Sequence, residues 1–206
     1  MRSTTSASAS TSSTLIVLSP LPYITILSLS NIKNLQSVDY VESLTSLKEL
    51  RLEYCHELKH LSPSIFQCLS SLQRLTISVC EELDISNIDD SSWRGLRSLQ
   101  HLSLGGVPKL VALPEGLQHV TTLRSLGLVR CLKLRAIPEW IGNFSSLQDL
   151  DIWACPGLTS LPKAIRSMTC LNTLQIRYCP VLIQRCRKEI GEDWPKISHI
   201  PVVFVI

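Results

Sequence analysis

The chain has 206 residues, 45% of them apolar and 18% charged, with a formal net charge of +3. That balance predicts globular order, and so small a net charge, with no dense basic run, argues against nucleic acid as a partner. No apolar run reaches the ~18 residues that a membrane-spanning helix needs.

In chain order, the start is nearly all Ser, Thr and Ala up to Thr14. Its apolar stretch, Leu15 to Leu18, is shorter than the ~7–15 residues of a secretory signal core. No acidic residue precedes Asp39, a weak match to an organelle transit peptide. Residues 1–20 are expected to form a Ser/Thr-rich disordered tail.

Order begins at Ile24, where Ile24, Leu27, Leu29 and Ile32 outline a degenerate first rung. A regular unit follows, LxxLxLxxCxxLxxLPxxΦ with Φ apolar. Rung one is Leu47, Leu50, Leu52, Cys55, Leu58 and Leu61. Rung two, from Leu72 to Leu83, lacks the LP half and carries SNIDDSSWRG, which stretches it to 27 residues. Rung three starts at Leu99, rung four at Leu123, rung five at Leu147 and rung six at Leu171. Rungs four and five superpose at a period of 24. Repetition at such a period marks a solenoid. The L-x-L spacing puts two side chains on one face of a short strand, and only stacked neighbours can bury that face.

A second register supports the frame. Leu44, Leu69, Leu96, Val120, Phe144 and Met168 each stand three residues before a rung's first leucine. Pro63, Pro114, Pro138 and Pro162 precede a short apolar turn and suit a first helical position. The fold class expected is an α/β repeat: a leucine-rich-repeat solenoid with a curved parallel β-sheet on the concave side. Irregular or short helical turns should line the convex side. The repeats should fill residues 21–179 and a C-terminal cap residues 180–206. In the cap, Leu182, Cys186 and Ile190 share one helical face, Gly191 can end that helix, and VVFVI reads as a last strand or a truncated end.

Few motifs point to chemistry. His56-Glu57-Leu58-Lys59-His60 matches the HExxH zinc-protease string, which needs both His on one helical face. Here Leu58 and Leu61 are ladder leucines on an extended return, so the match is read as chance. Five of the eight cysteines, Cys55, Cys80, Cys131, Cys155 and Cys179, occupy the ninth repeat position. There Cys is a small buried residue with a weak donor, and no CxxC pair suggests zinc. Rung spacing alone leaves open a bond such as Cys131 to Cys155, and the repeat reading favours reduced thiols in a reducing compartment. Asn143-Phe144-Ser145 is a glycosylation sequon that chance supplies easily. No nucleophile-and-base arrangement is apparent, so no catalytic residue, cofactor or metal is assigned.

Binding is the function the pattern suggests. The x positions of LxxLxLxx point away from the core and, stacked, form one concave surface of a size suited to a protein partner rather than to a metabolite. Arg130, Asp149, Asp151, Trp153, Arg177 and Tyr178 fall on adjacent rungs and should form one patch. Arg51, Glu53, Tyr54 and Arg74 should form a second. Trp, Tyr and Arg are the types that dominate binding energy. Glu139 and Lys163 lie at convex positions and should be inert.

The rungs, their LPxxI returns and above all the closing string CPVLIQRCRKEIGEDWPKISHIP (Cys179 to Pro201) resemble the C-terminal repeats of plant intracellular nucleotide-binding leucine-rich-repeat disease resistance proteins. The resemblance runs from about Ile24 to Pro201. It implies a cytoplasmic protein of innate immunity that recognises a pathogen effector or a host guard protein. It also implies a nucleotide-binding domain of such a receptor as a further partner. No GxxxxGK[ST] occurs in the chain, so nucleotide exchange is not carried over. The chain is expected to be a fragment, a truncated product or a stand-alone repeat protein. The alternative reading is a scaffold or F-box-type substrate receptor, which an F-box-like helical segment before the repeats would favour. The short Ser/Thr-rich start shows none.

Overall fold

The computed structural model describes residues 5–6, 23–62, 64–86 and 88–206. Apart from Thr5 and Ser6, the expected disordered tail lies outside the described residues, as does Pro63. Among the described residues the strands are β1 (Thr5–Ser6), β2 (Ile26–Ser30), β3 (Glu49–Glu53), β4 (Arg74–Ser78) and β5 (His101–Gly105). They continue with β6 (Ser125–Val129), β7 (Asp149–Trp153), β8 (Thr173–Arg177) and β9 (Val202–Val205). Each pairs in parallel with its neighbours in sequence, giving one nine-stranded sheet in chain order. Within the tail expected to be disordered, Thr5 and Ser6 pair with Leu27 and Ser28.

The leucine register explains the stacking. Leu50, Leu75, Leu102, Leu126, Leu150 and Leu174 align across the ladder, as do Leu52, Ile77, Leu104, Leu128, Ile152 and Ile176. All twelve are buried. Strand side chains alternate, so the intervening residues turn outward. The second register, Leu44 to Met168, is buried as well. The degenerate rung at Ile24 supplies β2, which pairs with β3 along its whole length.

The ninth-position thiols close five of the strands, β3, β4, β6, β7 and β8. Cys55 Sγ lies 3.6 Å from the Leu29 carbonyl of the preceding rung and 3.5 Å from the Glu53 carbonyl of its own. Cys80, Cys131 and Cys155 repeat the arrangement. The adjacent Cys155 thiol, then burial, push the Cys131 thiol up, which keeps it protonated as a donor. All eight cysteines are free.

Convex turns complete the rungs at Asp39–Ser43, Ile65–Cys68, Asp90–Trp93, Glu115–His119, Glu139–Asn143 and Lys163–Ser167. Pro114, Pro138 and Pro162 stand one position before their turns, not at the first helical residue as the sequence suggested. Each proline carbonyl accepts the turn's first hydrogen bond, from Leu117 (3.0 Å), Ile141 (3.1 Å) and Ile165 (3.4 Å). That is the work of a capping residue, for which proline's missing N–H is no handicap. In rung two the inserted stretch forms the Asp90–Trp93 turn. It buries Trp93 against Phe66, ring centroids 4.8 Å apart.

A conformational regularity escapes the leucine pattern. The residue after each of β2 to β8 is left-handed: Asn31, Tyr54, Val79, Gly106, Arg130, Ala154 and Tyr178, all with φ between 52° and 55°. Each donates its N–H to the carbonyl at the end of the next rung's strand or, for Tyr178, of Ile206. Only Gly106 takes this conformation without a Cβ penalty.

The cap departs from the expected single helix. That helix, Pro180–Arg185, stops at Cys186 and does not reach Ile190, which is 71% exposed. Gly191 N–H donates to the Arg187 carbonyl (2.8 Å) and Asp193 N–H to that of Arg185 (2.7 Å), so the chain doubles back. A Cβ on Gly191 would come within 2.1 Å of the Arg185 carbonyl. Glycine is therefore required for close approach, not as a helix stop. A second short helix, Trp194–Ile197, leads to VVFVI, which forms β9.

Candidate protein-interaction face

The outward residues of β6 to β9 form three rows across the sheet. The first is Ser125, Asp149, Thr173 and Val202; the second is Gly127, Asp151, Gln175 and Phe204. The third is Val129, Trp153 and Arg177, continued by Ile206, whose N–H donates to the Ile176 carbonyl and whose own carbonyl accepts from Tyr178. A fourth row, just past the strands, holds Arg130, Ala154 and Tyr178 in the left-handed turn. Arg130 and Tyr178 are therefore not strand residues, as the repeat unit suggested. The left-handed turn sets the directions in which their side chains leave the backbone.

The candidate patch comes together here. The Trp153 and Tyr178 rings meet edge to face, centroids 5.8 Å apart at 84°. The Arg130 guanidinium stands 5.0 Å from the Trp153 ring centroid, a cation–π contact. Arg177 lies beside Trp153 on the next strand, and its buried Nε has no hydrogen-bond partner. Asp149 is exposed, but Asp151, expected to be exposed, is half-buried. Burial pushes its carboxyl above the ordinary carboxylate value, and Arg177 offsets this only in part.

The second candidate group does not assemble. Arg74 opens β4, whereas Tyr54 follows the end of β3, so they sit at opposite ends of the strands. At ~3.3 Å per residue that separation is on the order of 15 Å. Arg51 is tied to Glu49 on its own strand at 2.5 Å, and half-buried Glu53 pairs across the ladder with Ser78. Arg74 instead adjoins His101, whose imidazole value is lowered by burial, then by Arg74 and Arg124, against a raising effect of Asp149.

Sequence reasoning missed the contribution of β9. Val202, Phe204 and Ile206 extend the outward rows, and Phe204 is 49% and Ile206 70% exposed. The signal was present as the alternation in VVFVI, but its register follows only from its pairing with β8. It also missed a bond on the convex side. Glu139 accepts from the backbone N–H of Lys163 (2.9 Å) and Ala164 (2.8 Å), so it caps the next rung's turn and is not inert. Those two bonds hold its carboxyl below the usual range.

The HExxH residues lie on a non-helical return, His56 facing Glu81 at 3.7 Å. Among the described residues no group of three or more His, Cys, Asp or Glu is placed to hold a metal ion. No described helix is long and apolar enough to cross a membrane.

Comparison with known proteins agrees with the repeat register. A family model described as plant disease resistance protein RPS2-like, leucine-rich repeats, matches residues 36–180, more than half of the chain. Among solved structures, the leucine-rich-repeat domain of the type III effector XopL shares 20% identity with a TM-score of 0.55. That match covers 90% of this chain and 77% of the domain. The plant peptide hormone receptor RGFR1, solved in complex with RGF2, shares 24% identity with a TM-score of 0.51. Here the match covers 76% of this chain and 29% of the receptor, so the chain spans less than a third of that receptor's length. At these identities the two structures share the fold. A search of curated proteins finds no match.

Proposed function

From the premise that the chain belongs to the RPS2-like leucine-rich repeats of plant disease resistance proteins, we propose that it recognises a pathogen effector or a host guard protein through its concave sheet. The chain is a leucine-rich-repeat protein-interaction module. The observation that carries the finer reading is the arc of Arg130, Trp153, Tyr178 and Phe204. It crosses rungs four to six and β9 with one cation–π contact and one edge-to-face pair. Aromatic anchors beside arginines and a polar rim make a face built for a protein partner. A nucleotide-binding domain of the same receptor type is a second partner in this reading. The strand-closing thiols, used as weak donors to backbone carbonyls, fit a cytoplasmic, reducing compartment.

The test is a cross-linking pull-down from plant extract, followed by affinity measurement with the purified partner. Trp153→Ala with Arg177→Ala should weaken binding by about 2 kcal/mol or more. The same variant should keep its unfolding free energy within about 1 kcal/mol of the parent. The control is Lys133→Ala with Arg135→Ala, two exposed residues on a return segment. If the control pair abolishes binding and the concave pair does not, the recognition face lies on the other side.

A further inference from the structure

The C-terminal end of the sheet carries a second surface, on the open edge and inward side of β9, whose outward Phe204 belongs to the aromatic arc. Among the described residues β9 pairs on one side only, with β8. Val202 and Ile206 N–H groups donate to the Asn172 and Ile176 carbonyls of that neighbour or its flank. Strand backbone alternates, so the N–H and C=O groups of Val203 and Val205 turn to the open side. Natural edges are usually blunted by charge, proline or a bulge. Val202–Ile206 carries no charged side chain and no proline, and Val202–Val205 pairs with β8 in unbroken register.

A groove adjoins this edge. It encloses about 530 Å³ and is lined by Ile183, Cys186, Ile190, Trp194, Val203 and Val205, with Arg187 and Lys188 completing it. The doubled-back cap creates it, because stopping the helix at Arg185 leaves Ile190 outside the core. The lining holds two cations and no carboxylate. Neither Arg187 nor Lys188 has an ion pair or side-chain hydrogen bond among the described residues. Inward positions align across a parallel ladder. A strand added beside β9 would therefore drop alternate side chains into the groove, next to Val203 and Val205.

We propose that β9 and this groove dock an extended segment of a second protein as a tenth strand, apolar at alternate positions and carrying carboxylates that meet Arg187 and Lys188. Main-chain bonds to Val203 and Val205 supply the affinity, and the groove with its basic rim supplies the selection. A second copy of this chain is the poorer occupant. Edge-to-edge pairing of two β9 strands fills both grooves with valine, yet brings the two basic rims together with no acidic side chain from the strand itself.

The probe is a seven-residue peptide, blocked at both termini, with valine at alternate positions and glutamate at both ends. Two comparison peptides carry lysine ends or a central proline. With the full chain, the glutamate peptide should slow amide exchange at Val203 and Val205 in NMR spectra. It should bind about tenfold or more tightly than the lysine peptide at low salt. The proline peptide should not protect either amide. Arg187→Glu with Lys188→Glu should reverse the preference between the charged peptides. Val205→Pro should abolish protection while keeping the β8 ladder, since the Val205 N–H is not used there; its melting curve checks the fold. Equal binding of the glutamate and lysine peptides, or no change at Val203 and Val205, overturns the proposal. So does a dimer of the chain alone that Val205→Pro converts to monomer. None of these outcomes depends on Trp153 or Arg177, the pair that tests the concave face, so the two readings stand or fall separately.

Discussion

Asp151 occupies the middle of β7 between Gly127 and Gln175, and neither neighbour neutralises it. Burial, the larger influence, raises its carboxyl, and Arg177 lowers it by less. A carboxyl raised in the folded state favours folding when protonated, and that contribution is lost as pH rises through the folded value. At neutral pH the charge is therefore a liability to the fold. Asp151→Asn should raise the unfolding midpoint at pH 7 by a modest amount, within about 0.5–1 kcal/mol. The gain should fade as pH falls toward about 4, where the parent protonates as well. Denaturant melts at the two pH values read this directly; a variant less stable at pH 7 would contradict it.

At the scale of the element, the cap is organised by Asp193, which is 0% exposed. Its carboxylate accepts from the Leu161 N–H (2.8 Å), from Arg185 Nε and Nη2 (both 3.2 Å), and pairs with Lys196 Nζ (2.7 Å). Lys196 donates in turn to the Leu161 carbonyl. One carboxylate thus ties both cap helices to the rung-five return. Burial alone would raise it, but the donors from Arg185, Lys196 and Leu161 outweigh burial and hold it below the usual range. A depressed carboxyl contributes stability above the unfolded value and loses it as pH falls through the folded one. The parent should therefore weaken below about pH 4. Asp193→Asn should cost about 1–3 kcal/mol at neutral pH, because it removes the charge that accepts from the Leu161 N–H and pairs with two part-exposed cations. Thermal melts across pH test both statements, and an Asn variant matching the parent at pH 7 would remove Asp193 from this role.

For the whole molecule, the same clamp predicts that deleting residues 180–206 exposes Leu174 and Ile176 of the last rung and drives aggregation, measurable by light scattering. A monomeric deletion protein with an unchanged midpoint would mean that the segment is no cap. The solenoid was legible in the sequence because leucines at fixed spacing report burial directly, and Leu150 and Ile152 are buried as their register requires. Three things were not legible. The left-handed turn after each strand accepts Tyr, Val, Arg and Ala as well as Gly, so composition carries no trace of it. The doubling-back at Gly191 depends on a tertiary contact with Arg185 that a helical periodicity cannot foresee. The patch of Trp153 and Tyr178 could be located, but its extension through Phe204 required knowing that β9 joins the sheet. The lopsided fastening of the stack has a mechanical meaning. Each rung holds only its neighbours. Among the described residues, the carboxyl-side rungs are locked by a buried charge network, while β2 meets on its outer side the two-residue β1. Pulled from its two ends, the molecule should peel from the amino side. Each rung, 24 to 27 residues long, would release a thread of roughly 80–95 Å at about 3.3–3.6 Å per residue, and the arc and cap would be the last to give way.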